Sequence, residues 1–220
     1  MNNFTQKIYW GLLALWLWSG CQSNETQVII ETSYGQITAI LNDDTPEHKK
    51  NFIKLVKQGY YDGTLFHRVI PTFMIQGGDP DSKTAAPGMM LGAGGPDYTL
   101  PAEAGKHHHL RGALAAARQP DGVNPERRSS GSQFYIVDGL DGTQFTDEVF
   151  NTIEQQNKMT FSPELRAQYR QNGGYPPLDN LYTVFGMVTA GQDVVKKIAN
   201  AQRDANDRPV QDIAMKVTLK

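Results

Sequence analysis

Short apolar runs separated by glycine and proline dominate the hydrophobic pattern of the chain from residue 25 onward. Residues 25–32 and 36–42 carry many β-branched side chains and flank a turn at 33–35, which predicts a β-hairpin. Many short strands with few helices indicate a mainly β fold, namely a closed barrel. Seven further runs are predicted to form strands: 65–70, 73–76, 98–100, 112–117, 133–137, 183–188 and 213–219.

Two segments have apolar residues at helical rather than strand spacing. In the first, Thr45 is a candidate N-cap, Pro46 fits the first turn and Gly59 ends the helix. The second predicted helix spans residues 193–199. The apolar face of the first helix is predicted to consist of Phe52, Ile53, Leu55 and Val56.

The segment 141–176 differs from its neighbours in composition. It contains few β-branched residues and many Gln, Glu, Asn and Lys. The stretches 148–158 and 163–171 have helical composition, and Ser162 is a candidate N-cap for the second. We therefore predict a partly helical surface insertion within the β domain.

The first 21 residues follow a different pattern. Lys7 precedes an apolar run from Ile8 to Trp18, and Ser19-Gly20-Cys21 follows it. The run is about 11 residues long, whereas a bilayer-spanning helix needs about 20, so it is typical of a secretory signal peptide. Cys21 is the only cysteine, and its place after small residues resembles the lipid-modified cysteine of bacterial lipoproteins. The alternative is an ordinary secretory signal that leaves a free thiol.

These features divide the chain into a signal peptide (1–20), a lipidated cysteine with a short tether (21–26) and a folded domain (27–220). The lipoprotein interpretation predicts attachment to a membrane of the bacterial cell envelope, on the periplasmic or outer-membrane side. Removal of residues 1–20 leaves 20 basic against 23 acidic residues. Nucleic acid is therefore not an expected partner, because phosphate binding depends on Lys and Arg.

One cation interrupts the most apolar part of the domain. Arg68 lies in the run FHRVIPTFMIQGGD, residues 66–79. A guanidinium does not lose its charge inside a protein, so Arg68 must either form an ion pair or line a groove. Asp79 and Glu103 are the candidate partners for a purely structural ion pair.

Four motifs, taken in this order, resemble the cyclophilin family of peptidyl-prolyl isomerases. They are FHRVI (66–70), FMIQGGD (73–79), SGSQFYI (130–136) and TVFG (183–186). The resemblance covers about residues 27–220 apart from the insertion. It implies a closed antiparallel barrel of eight strands, capped by two helices, with a shallow groove on its outer wall. It also assigns 112–117, whose alanines favour a helix, to a strand.

The same resemblance implies roles for individual residues. Arg68 matches the catalytic arginine. Ala116 stands where many members have Asn, and Pro177 where cyclosporin-sensitive members often have Trp, so weak inhibition by cyclosporin is expected. The residues expected to bind the substrate, in the proline pocket and along its rim, are Phe73, Met74, Gln76, Ala115, Ala116, Gln133, Tyr135, Leu178 and Tyr182.

The implied activity is isomerisation of X-Pro bonds in exported proteins by a monomer, with proline-containing segments as partners and no cofactor or metal. Arg68 would donate to the amide nitrogen, which regains a lone pair while the bond is twisted. The alternative is a barrel that binds proline-containing peptides, or acts as a chaperone, without catalysis. His107, His108 and His109 do not indicate a metal site, because consecutive side chains point in different directions.

Overall fold

The computed structural model describes residues 25–220, so the predicted signal peptide and Cys21 lie outside the described residues. The helices are α1 (Pro46–Lys57), α2 (Asp147–Asn157), α3 (Pro163–Asn172) and α4 (Gln192–Ala199). The strands are β1 (Gln27–Thr32), β2 (Gly35–Leu41), β3 (Phe66–Ile70), β4 (Met74–Gly77), β5 (Thr99–Leu100), β6 (Ala113–Ala116), β7 (Ser129–Ser130), β8 (Phe134–Val137), β9 (Val184–Ala190) and β10 (Met215–Leu219).

Eight strands form one curled antiparallel sheet in the order β10-β1-β2-β9-β6-β8-β4-β3. The two edge strands approach each other through a single bridge between Leu65 and Ala214, flanked by a hydrogen bond from the Phe66 amide to the Ile213 carbonyl. The sheet is therefore a half-barrel, and the predicted full closure was overstated. The predicted strand at 98–100 exists, but it pairs with β7 in a separate two-stranded sheet.

The barrel interior contains one large apolar core. Alternate residues of β1 and β2 point into it, and the two capping helices close it as predicted. Phe52 of α1 lies 5.5 Å, between ring centroids, from Phe134 of β8 in an edge-to-face contact. Val195 and Ile198 of α4 are also fully buried there.

The helices start within one residue of the predicted positions, and one predicted cap does not form. Pro46 opens α1 as expected, but Thr45 makes no side-chain cap and its hydroxyl donates to the Asn42 carbonyl at 3.3 Å instead. The Ser162 hydroxyl caps α3 by accepting from the Leu165 amide at 3.2 Å, which confirms that prediction. Within residues 25–220, no helix is both long and apolar enough to cross a bilayer.

The segment 141–176 contains α2 and α3, which confirms its predicted helical content. The two helices enclose an apolar cluster that includes Phe145, Phe150 and Tyr169. Gly174 joins this segment to the barrel through isolated bridges to Leu110 and Leu140. A Cβ at Gly174 would lie 2.4 Å from the His109 carbonyl oxygen, so the close approach requires glycine.

Leu114→Ala should lower the free energy of unfolding by about 3 kcal/mol, because it removes buried methyl groups from the central strand β6 and leaves a cavity. Val210→Ala, at an exposed position, is the control and should change it by less than about 0.5 kcal/mol. Urea denaturation of residues 25–220 measures both. Equal effects of the two variants would contradict the described core.

Candidate active site

The outer face of the sheet carries a second apolar layer, opposite the core. Ala113, Ala115 and Val137 of this layer are fully buried, and Met74 and Tyr135 are nearly so. Partly exposed side chains cover the layer and leave a groove between them: Ile70, Phe73, Tyr175, Leu178, Tyr182 and Met187.

The groove holds a small cavity of about 110 Å³. Seven of the ten residues predicted for catalysis and substrate binding line it: Arg68, Phe73, Met74, Gln76, Tyr135, Leu178 and Tyr182. Because Arg68 and Gln76 are register partners across β3 and β4, their side chains emerge on the same face of the sheet. The cavity is therefore apolar at its base and polar at the edge formed by these two residues.

Gln133 lies beside this cavity and is held in a fixed orientation. Its side-chain oxygen accepts from the Gln76 amide at 3.0 Å, and its nitrogen donates to the Gly92 and Gly94 carbonyls at 2.9 and 2.7 Å. It lines a larger neighbouring cavity of about 580 Å³, which Arg68 and Gln76 also border. The two cavities are neighbours that share Arg68 and Gln76 on their borders.

The structure does not bring Ala115 and Ala116 to the groove surface. Ala116 pairs with Phe134 and faces the barrel core, while Ala115 pairs with Tyr135 and is fully buried beneath the outer layer. Ala117 and Arg118 line the cavity in their place. Strand alternation could have revealed this, because Ala116 shares the inward face with Leu114.

Arg118 is a wall residue that the sequence analysis did not single out. Its guanidinium carbon lies 4.5 Å from the centroid of the Tyr182 ring, and its Nε donates to the Leu181 carbonyl at 3.0 Å. A further hydrogen bond joins its Nη1 to Asp121 at 2.6 Å. These contacts fix the orientation of Tyr182.

In the part of the chain that the structure describes, Arg68 has one acidic neighbour at ion-pair distance and no hydrogen-bonded side-chain partner. The nearest carboxylate oxygen, on Asp207, lies 3.8 Å from its Nε, and the side chain is 43% exposed. Asp79 instead accepts backbone hydrogen bonds from its own loop, and Glu103 binds the His48 ring at 2.7 Å. Arg68 pairs with neither of these two candidate partners, and its guanidinium borders the groove.

Comparison with known proteins supports the same family as the motifs. Residues 27–219 match the family model described as "Cyclophilin type peptidyl-prolyl cis-trans isomerase/CLD". The chain belongs to the cyclophilin family. A relative from Staphylococcus epidermidis is 34% identical over 196 residues, covering 88% of this chain and 91% of the relative. One from Staphylococcus haemolyticus is 35% identical over 195 residues, covering 88% and 90%. Both carry a provisional name as peptidyl-prolyl cis-trans isomerases.

Solved structures show the same cyclophilin fold. A cyclophilin-type isomerase from Cryptosporidium parvum aligns with a TM-score of 0.62 at 24% identity, covering 89% of this chain and 98% of that one. A second structure of that protein, obtained in the presence of the dipeptide Ala-Pro, aligns with a TM-score of 0.61. At this identity the likeness shows the fold alone.

The three consecutive histidines of this cyclophilin have separate environments. His107 contacts Asp44 at 2.7 Å on the surface, whereas His108 and His109 both contact Asp179, at 3.1 and 2.9 Å. Within residues 25–220, no group of three or more His, Cys, Asp or Glu side chains could hold a metal ion.

His67, next to the exposed Arg68, is a buried histidine whose two ring nitrogens have no hydrogen-bond partner among the described residues. Burial lowers its pKa from 6.5 to about 4, against the opposing charge of Asp79. The His67 ring is therefore neutral in the folded protein at physiological pH.

The free energy of unfolding should fall as the pH is lowered from about 6.5 to about 4, by roughly 3 kcal/mol at the lower end. The unfolded chain binds more protons than the folded one in this window, because the folded pKa of His67 is the lower of the two. Burial also lowers the pKa of His48, which adds to the slope in the same direction.

Urea denaturation at a series of pH values measures the slope, and ring 15N NMR of His67 separates its share from that of His48. The His67 ring should remain neutral at pH 5 in the folded protein. Protonation of His67 near pH 6.5 would contradict the prediction.

Proposed function

We propose that this cyclophilin accelerates cis–trans isomerisation of X-Pro bonds, with Arg68 as the catalytic residue and the 110 Å³ cavity as the seat for the proline ring. The state of Arg68 carries the proposal. Its guanidinium is partly exposed, lies no closer than 3.8 Å to Asp207, has no hydrogen-bonded protein partner within residues 25–220, and borders a cavity with an apolar base. The 3.8 Å separation from Asp207 is too long for a hydrogen bond, so the N–H groups of Arg68 remain available to a substrate.

The chemistry requires no cofactor and no proton transfer. Rotation about a peptide bond meets a barrier of about 18–20 kcal/mol, because conjugation is lost as the amide twists. The nitrogen becomes pyramidal and gains a lone pair in the twisted state. A donor that reaches this nitrogen stabilises the twisted state more than either planar state, which lowers the barrier. Arg68 would be that donor.

The rest of the groove would position the substrate. Phe73, Met74 and Leu178 offer an apolar surface to the proline ring, and the ring face of Tyr135 completes it. Gln76 and Gln133, already hydrogen-bonded to each other, carry polar atoms at the edge where a peptide backbone would run. An apolar seat also strengthens the interaction of Arg68 with the amide, because water is excluded around it.

Arg68→Ala should lower kcat/KM for a short X-Pro peptide by about 100- to 1000-fold, since it removes the donor to the twisted amide. Arg127→Ala is the matched control: its side chain is equally exposed, at 43%, but it pairs with Asp121 and does not line the proline seat. Exchange NMR on the peptide measures the rate. Near-wild-type turnover of Arg68→Ala would refute the catalytic role.

The same experiment separates catalysis from the alternative function, a binding module without turnover. A binding module would shift the peptide resonances on titration and leave the cis–trans exchange rate unchanged. Wild-type protein that behaves in this way would overturn the proposed activity.

We further propose that the protein acts as a monomer on exported proteins, anchored to an envelope membrane through lipid on Cys21. The support is the sequence alone: a short apolar run that ends in small residues before the only cysteine. Lipid chains would hold the domain at the membrane surface while the groove remains open to extended segments of its clients.

Expression of the full chain in a bacterial host with two membranes should give a membrane-bound product, and mass spectrometry should find Cys21 lipidated as the first residue. Cys21→Ser should move the protein to the soluble envelope fraction, because the attachment thiol is lost. A soluble wild-type product with a free Cys21 thiol would instead support the ordinary secretory signal.

A further inference from the structure

A chain of hydrogen bonds runs from the proline seat into the segment 141–176. The Tyr135 hydroxyl, on the groove side, lies 2.9 Å from Nε2 of His109. Nδ1 of the same ring lies 2.9 Å from Oδ1 of Asp179. The other carboxylate oxygen of Asp179 accepts from the Tyr169 hydroxyl, on α3, at 2.7 Å.

The chemistry of the carboxylate fixes the direction of both hydrogen bonds to Asp179. An ionised carboxylate only accepts, so Nδ1 of His109 carries a proton and donates to Asp179. The arrangement tested below has no proton on Nε2, so that the Tyr135 hydroxyl donates to it. Burial raises the pKa of both Tyr135 and Tyr169, which keeps both hydroxyls protonated as donors.

Because the four side chains are buried, loss of any of these hydrogen bonds would destabilise the folded protein. All four side chains are almost completely buried, and an unpaired polar group there would bear its full desolvation penalty. Burial alone would raise the pKa of Asp179, but hydrogen bonds from His108 and His109 outweigh it and hold the pKa at about 2. Asp179 therefore stays an acceptor at any physiological pH.

The consequence for the groove concerns the Tyr135 hydroxyl. Tyr135 lines the proline seat with its ring, and a free hydroxyl there would place a polar group beside the proline. The hydrogen bond with His109 satisfies the hydroxyl on the side away from the solvent. Tyr169 donates from α3 to the same carboxylate that binds the His109 ring.

We propose that His109, Asp179 and Tyr169 are positioning residues, which keep the Tyr135 hydroxyl out of the proline seat and so make proline binding dependent on helix α3. This inference rests on the proposed function, because it assigns the seat to proline. The segment 141–176 thereby sets the affinity of the groove for its substrate without contacting the reacting bond.

The test is Tyr169→Phe, which removes one hydroxyl from α3 and leaves its ring in place. We expect KM for an X-Pro peptide to rise about three- to tenfold with kcat changed less than about twofold, because the donor Arg68 is untouched. Ile153→Val is the matched control, since it trims the same apolar cluster of α2 and α3 without touching Asp179. It should leave KM within about twofold of the wild type.

The double variant distinguishes positioning from a general loss of structure. In a Tyr135→Phe background no hydroxyl remains to be held, so adding Tyr169→Phe should change KM by less than about twofold. An undiminished effect of Tyr169→Phe in that background would overturn the inference. So would equal KM shifts for Tyr169→Phe and Ile153→Val, or no shift for Tyr169→Phe.

Two readouts do not depend on turnover. Ring 15N NMR of the wild type should show His109 neutral with the proton on Nδ1, and Tyr135→Phe should shift the Nε2 signal. NMR titration with the same peptide gives Kd for each variant, which should follow KM.

A wild type without isomerase activity would overturn the proposed function, and these two readouts would still decide the positioning role. A proton on Nε2 in the wild type would overturn that role.

Discussion

Burial of both faces of the sheet around β6, β8 and β4 is the constraint on which the candidate site depends. Leu114 and Phe134 point into the barrel core, while Tyr135 and Val137 support the groove from outside. A slip of one residue would exchange the two faces of a strand. Because each face packs against different partners, the register that builds the core also fixes the floor of the groove.

The position of Arg68 follows from the same sheet. It lies on β3, the last strand in the sheet order, which has a paired neighbour on one side only. The register of β3 and β4 shifts between Phe66 and Arg68, and such irregularities near a sheet edge redirect side chains. Phe66 and Val69 stay buried while the cation between them remains accessible. The apolar strand β3 can therefore hold one charged side chain at the surface, where water and the groove solvate it.

Local patterns predicted most of the fold. The first hairpin, α1, α4 and the Ser162 cap depend on neighbouring residues, so the sequence shows them directly. Barrel closure depends on the curvature of the whole sheet, which cannot be predicted from short stretches of sequence. The inward position of Ala116 could be predicted only by counting alternate residues along β6 from Leu114, which faces the core. The bonds of Asp179 to His109 join residues 70 positions apart, so spacing along the chain could not suggest them.

Asp179 shows why the segment 141–176 is structurally part of the domain rather than an appendage. Its two oxygens accept four hydrogen bonds: three from His108 and His109, before β6, and one from Tyr169 of α3. Leu178, the residue before it, lines the proline seat. A buried carboxylate needs its donors, because its charge is otherwise uncompensated. The helical segment, through the Tyr169 hydroxyl, therefore helps to stabilise the buried Asp179 beside Leu178 in the groove wall.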